Sequence, residues 1–234
     1  MKIYSILSHP NQHSLNARMF NLANKHFCSL GHEVESLDLY RNIDQLNDSA
    51  NIMYQDVSLV ERKYMSPYSY NYATNSEKNL LGKFAKIEID KLKNADVLYI
   101  QSPILVWSLP AMLKLYLENI FVVNELFLLH NPWSDDNFKI DRYMEGKQVM
   151  FSLTMGSSQS LTNEVIGNKD LLIHPIKSIF NFVGYEWIDP HITWGTTEIN
   201  DKRQDYLDSF QQQNPQSQVE TPPSGYFNPF NWIK

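Results

Sequence analysis

Five short apolar runs alternate with helix-patterned stretches along this chain, and that alternation limits its fold more than any other feature. Residues 2–8 (KIYSILS) form a β-rich run that stops at His9-Pro10-Asn11. Residues 33–39, 95–102 and 148–154 repeat that character, and residues 186–194 supply a fifth run. Pro190 cannot donate to a strand ladder, so this last run is expected at a sheet edge. After Ser14, the residues Leu15, Met19, Leu22, Ala23 and Leu30 recur at helical spacing, with Ser14 as N-cap and Gly31 just past the end. Residues 76–94, 171–183 and 201–212 also pattern as helices. Pro110, at a first helical position, opens an amphipathic helix carrying Met112, Leu113, Tyr116, Leu117, Ile120 and Phe121 on one face. Strands separated by helices predict an α/β fold with a parallel sheet covered on both faces. Residues 41–75 read as a long polar connection with a short helix at 56–63, and residues 131–146 as a polar excursion. The expected organisation is one domain over residues 1–213 and an extension, residues 214–234, packing on it or on a dimer partner.

Glycine is scarce in this 234-residue chain, with 8 in all and no two in a G-x-G spacing. Glycine-rich dinucleotide loops and P-loops are therefore excluded, and any phosphate must be held by other groups. The formal charge of −6, with no Lys/Arg cluster, argues against nucleic acid as a partner. The single Cys28 has no disulfide partner in the chain, and the N-terminal apolar run is too short for a signal segment, so a cytoplasmic setting is expected. No apolar run reaches membrane-spanning length, so no membrane insertion is expected. His9 and His13 lie four apart, but Pro10 rules out a regular helical pair and no carboxylate or Cys completes a metal set.

In a doubly wound sheet, ligands sit outside the carboxyl ends of the strands, so the loops that follow the strands matter most. The first loop, residues 9–16, leads into a helix N-terminus, where free N–H groups and the helix dipole attract anions and the side chains of Ser14 and Asn16 supply further donors. An ordinary capped helix would leave the same residues there. The second, residues 102–110 (SPILVWSLP), is apolar where a connection should be polar, which suits a flat aromatic ligand. A core plug or a subunit contact would also suit it. The third, residues 154–160 (TMGSSQS), offers hydroxyls and amides to the polar edge of a heterocycle, or is a solvated turn.

The runs SHPNQHSLN, ADVLYIQSPILVWSLPAMLKLYLENIF and GKQVMFSLTMGSS, in that order, resemble the NAD(P)H:quinone oxidoreductase family of flavodoxin-like flavoproteins. The segment TPPSGYFNPF is similar to the C-terminal extension of the longer members. The most specific piece is the P-x(6)-P-A-x-L-K pattern from Pro103 to Lys114. The resemblance implies a flavodoxin-like fold with a five-stranded parallel sheet. It implies FAD in preference to FMN, with its pyrophosphate near His9, Ser14, Leu15 and Asn16. The isoalloxazine would lie over Pro103, Ile104, Leu105 and Trp107, with Thr154, Gly156 and Ser157 at its polar edge. It further implies a homodimer with sites at the subunit interface, hydride transfer from NAD(P)H, and a quinone-like acceptor.

The chain departs from the family pattern at several points. Ser157 stands where relatives carry a second glycine, and Leu105-Val106 precede the aromatic Trp107. The Tyr and His that stabilise reduced flavin in the best-known members align with Thr162 and Ile166, so no catalytic residue is assigned. Tyrosines of the acceptor pocket fall near Leu128 and His130. A flavin-binding ancillary subunit of a potassium efflux type system and an FMN-dependent azo- or nitroreductase are the alternative functions.

Overall fold

The computed structural model describes residues 1–54, 81–131 and 136–196. Its centre is a five-stranded, wholly parallel sheet. The strands, in chain order, are β1 (Lys2–Leu7), β2 (Glu33–Asp38), β3 (Val97–Pro103), β6 (Gln148–Thr154) and β7 (Glu186–Thr193). A separate antiparallel hairpin, β4 (Phe127–His130) with β5 (Lys139–Arg142), lies between β3 and β6 in sequence. The helices are α1 (Leu15–Ser29), α2 (Ile43–Tyr54), α3 (Lys83–Asn94), α4 (Ala111–Ile120), α5 (Gln159–Ile166) and α6 (Lys169–Val183).

Strand order in the sheet is β2-β1-β3-β6-β7. From β1 the chain winds first outward to β2 and then back across to β3, so the direction of winding reverses between β1 and β3. That reversal opens a crevice at their carboxyl ends. Period-two alternation divides the core into two layers. Ile3 and Leu7 of β1, Val97 and Tyr99 of β3 and Met150 of β6 meet Ala17, Phe20, Ala23 and Phe27 of α1. Tyr4, Ile6, Leu98, Ile100, Val149, Phe151 and Leu153 face the opposite layer, built from α2, α3, α4 and α6. Both faces of β3 are therefore covered and all seven of its residues are buried, as a central parallel strand requires. The edge position expected for the Pro190 strand is observed.

Several elements differ from the sequence reading, among them α5 and the strand β4, neither of which it includes. Leu39–Asn42 forms a 3-10 turn capped by Asp38 and runs into α2, where a polar connection was expected. Leu39 and Leu46 are fully buried there, so two apolar anchors suffice among Asn, Asp and Ser. The excursion at 131–146 contributes β5, which pairs with β4, and the residues after it are pinned to the residue before β4 and to the end of α6 by Tyr143 N–H to Leu126 C=O and Met144 N–H to Val183 C=O, both 3.1 Å. The helix expected over 76–94 is Lys83–Asn94, because Gly82 is extended and serves as its N-cap. Pro110 is the N-cap of α4 and not its first helical residue, since its ψ of 144° is extended. The expected helices at 56–63 and 201–212 and the extension at 214–234 lie outside the described residues. No described helix is long and apolar enough to cross a membrane.

Candidate functional site

The first loop is braced by its own polar groups. Asn11 Oδ1 accepts the His13 N–H at 2.8 Å, Asn11 C=O accepts the Ser14 N–H at 3.1 Å, and the Gln12 amide donates to Asp38 at the end of β2. His9 Nδ1 lies 3.0 Å from the Asn11 backbone nitrogen and 3.2 Å from the Asn11 carbonyl oxygen, so either ring tautomer finds a partner within this loop. Burial holds His9 below the usual histidine range, against the opposing pull of the Asn11 carbonyl and the Asp38 charge. Burial thus favours the neutral ring at neutral pH. Ser14 caps α1, its hydroxyl oxygen accepting the Ala17 N–H at 3.1 Å. The N–H groups of Leu15 and Asn16 have no intrahelical partner, and the hydroxyl proton of Ser14 has no acceptor among the described residues. These are donors for an anion at the positive end of a helix.

Asn16 differs from expectation in one respect. Its side chain turns inward, where Oδ1 accepts from Gln101 Nε2 and Nδ2 donates to Thr154 Oγ1, both at 2.8 Å. What Asn16 keeps for a ligand is its backbone N–H, and its side chain instead couples the first loop to the third.

The second loop is a two-residue reversal. Leu105 N–H donates to Ser108 C=O at 2.9 Å and Ser108 N–H to Leu105 C=O at 3.0 Å, which closes a turn around Val106 and Trp107. Both central residues are left-handed, with φ 49° and 61°. Positive φ at both positions defines a type I′ turn, which favours Asn-Gly and disfavours a β-branched residue. Val106 is 96% exposed, so burial of its side chain gives nothing back for that strain. Leu105 and Trp107 are exposed beside it, while Pro103 and Ile104 are buried. The result is an apolar shelf held in a costly conformation at the crevice, an arrangement characteristic of ligand-binding positions.

The third loop joins the second through Ile104 N–H to Thr154 C=O at 2.8 Å. Thr154 is buried, and Gly156 and Ser157 are half-buried. Ser157 shares a 2.9 Å hydrogen bond with Thr162, whose hydroxyl also donates to Ser158 C=O at 3.0 Å. Thr162 is fully buried, so the residue aligned with the family's tyrosine is committed to bracing this loop. Ile166, the other aligned position, ends α5 and packs against the core.

The structure therefore brings His9, Ser14, Leu15, Asn16, Pro103, Ile104, Leu105, Trp107, Thr154, Gly156 and Ser157 to the carboxyl ends of β1, β3 and β6. Sequence reasoning missed two residues here. Gln101 bridges Tyr99 and Asn16, and its signal was only a polar residue inside an apolar strand. Ser8 follows β1, is fully buried, and has a hydroxyl without a partner among the described residues. A buried orphan hydroxyl beside a set of free donors fits a phosphate-bearing planar cofactor, with the anion at the first loop and the ring system on the apolar shelf. No cluster of three metal-binding side chains occurs among the described residues.

His130 and Leu128, near which acceptor-pocket tyrosines were expected, lie on β4. There His130 Nε2 is 2.6 Å from Asp141 Oδ2, and Lys139 Nζ is 2.7 Å from Asp141 Oδ1. These partners hold the Asp141 carboxyl below its usual range, Lys139 first and His130 second.

Comparison with known proteins agrees with this architecture. The family model described as flavodoxin-like fold matches residues 1–214. NAD(P)H dehydrogenase [quinone] 1 of Cavia porcellus is 25% identical over 197 residues, covering 81% of this chain and 67% of that protein. A solved NAD(P)H:quinone oxidoreductase from Methanothermobacter marburgensis superposes with a TM-score of 0.63 at 14% identity, over 91% of this chain and 96% of the other. An FMN-dependent NADH-azoreductase from Bacillus anthracis, solved with FMN, gives 0.58 at 17% identity over 91% and 98%.

Proposed function

This chain belongs to the flavodoxin-like fold family, and from that premise we propose that it is a flavin-dependent NAD(P)H oxidoreductase delivering two electrons to a quinone or similar acceptor. The observation that carries the reading is the strained, exposed apolar turn at Val106-Trp107, tied through Ile104 to Thr154 and set beside the free donors of α1. The bound flavin, taken as FAD, supplies the hydride and electron chemistry. Around it the chain binds and orients. Leu15 and Asn16 N–H groups, the Ser14 hydroxyl and neutral His9 receive the phosphates. Ile104, Leu105 and Trp107 exclude water from one face of the ring system. Thr154, Gly156 and Ser157 meet its polar edge.

A cytoplasmic homodimer completes the proposal. Leu161 and Val165, exposed one turn apart on α5, and exposed Leu171 at the start of α6 form an apolar surface next to the third loop that suits a second copy. The test is direct. The cofactor that purifies with the protein is released and weighed, added flavin is offered to the protein, and NADH and NADPH oxidation are followed with a quinone present. Protein that takes up no flavin and oxidises neither nucleotide overturns the reading. Release of FMN alone, with an azo dye reduced and quinone untouched, would move it to the azoreductase alternative.

A further inference from the structure

We propose that Gln101 is a positioning residue which, acting through Asn16, presents the Thr154 hydroxyl as a hydrogen-bond donor to an acceptor atom on the polar edge of the flavin. The proposal rests on the flavin reading above and adds a direction to it. Four side chains form a chain of hydrogen bonds beneath the crevice. Tyr99 O–H donates to Gln101 Oε1 at 2.9 Å, Gln101 Nε2 donates to Asn16 Oδ1 at 2.8 Å, and Asn16 Nδ2 donates to Thr154 Oγ1 at 2.8 Å. All four residues are buried, none more than 4% exposed.

Each link runs the same way. Each amide then uses its oxygen towards Tyr99 and its nitrogen towards Thr154, which fixes both amide orientations. The last oxygen in the line already accepts from Asn16. The Thr154 proton has no acceptor among the described residues, and a buried donor of that kind calls for one. The backbone holds Thr154 in place independently, through Ile104 N–H to its carbonyl at 2.8 Å and the pairing of β6 with β3. The site therefore offers a donor there, and the matching atoms on an isoalloxazine edge are its carbonyl oxygens and unprotonated ring nitrogens. Hydrogen bonds in such a line polarise one another in the same direction, so a break at Gln101 is felt at Thr154.

Three variants test this: Thr154→Val removes the hydroxyl at nearly constant shape, Thr154→Ser restores it, and Gln101→Leu leaves it in place without its orienting line. Each apoprotein is titrated with FAD, following flavin fluorescence for affinity and the visible absorbance band for hydrogen bonding to the ring, with thermal unfolding as a control. Thr154→Val is expected to lose roughly tenfold in affinity and to shift the band, and Thr154→Ser to recover most of both. Gln101→Leu is expected to weaken binding and shift the band in the same sense. If Gln101→Leu does not fold, Gln101→Glu, which keeps the shape and removes the donor to Asn16, takes its place, and wild-type affinity with an unshifted band in the folded Gln101 variant overturns its positioning role. Wild-type affinity and an unshifted band in Thr154→Val overturn the inference and leave the flavin reading intact, whereas wild-type protein that binds no flavin overturns both.

Discussion

Two buried polar networks sit on this sheet, one closed on itself and one open towards the crevice. In the closed network Glu88 of α3, 1% exposed, accepts from the phenols of Tyr4 and Tyr116, the latter at 3.0 Å. Lys91 Nζ lies 3.0 Å from Glu88 and 3.1 Å from Glu35. Burial pushes both phenols well up, with the Glu88 charge adding to it, so both remain protonated donors. Every group in that cluster has its complement within the protein. In the open network the line from Tyr99 ends on a Thr154 proton with no acceptor among the described residues, and Ser8, whose N–H donates to Gln101 C=O at 2.9 Å, has a hydroxyl without a partner among them. A closed network contributes packing and uniqueness, and an open one at a strand-end crevice leaves its last donor for a ligand.

The sharpest way to separate the two is to break the closed one. Glu88→Ala leaves two phenols and an ammonium without their shared carboxylate and should cost roughly 3 to 5 kcal/mol in urea unfolding. Flavin affinity of the molecules that remain folded should not change, and a fall in affinity would mean that the networks communicate. An effect of about the same order concerns His191 of β7, whose backbone register pairs it with Ser152. Burial lowers its pKa to about 4 from the ordinary 6.5. The unfolded chain therefore binds the extra proton between those values, and stability that is complete above pH 6.5 declines as pH falls towards 4. The loss is roughly 3 kcal/mol, and His191→Gln should flatten that part of the stability profile. The smallest effect is expected at Ser8. Ser8→Ala removes a hydroxyl that has no partner among the described residues, so the apoprotein should keep its stability or gain about 1 kcal/mol while flavin affinity drops. Destabilised apoprotein would mean that the hydroxyl already has a partner within the chain.

Much of the fold was legible because the strands carry it. The fourth run, read as residues 148–154, is β6 residue for residue, and the Ser14 cap with its helix stands as α1. The layers between strands were harder. Among the described side chains of α2, Leu46, Ser49 and Ala50 are the buried ones, and they stand in a run rich in Asn, Asp and Gln. The β4–β5 hairpin is four residues a side and only half-buried, so its β4 run FLLH looks like the end of the preceding amphipathic helix. In α5 the exposed Leu161 and Val165 blur the apolar stripe by which a helix is normally recognised. At the site, the three loops were legible because strand ends dictate where a ligand sits. Their coupling was not, since Gln101 and Thr154 reach Asn16 across separations of 85 and 138 residues. The strain at Val106 was also hidden, because nothing in ILVWSL specifies a left-handed pair.

The central claim is that three loops far apart in sequence form one flavin cradle, and amide hydrogen exchange with and without FAD tests it most directly. Protection should rise together in peptides covering residues 13–17, 104–108 and 154–158, while peptides over the Glu88 cluster in α3 keep their rates. Protection confined to one loop, or appearing only away from the carboxyl ends of β1, β3 and β6, would contradict the account.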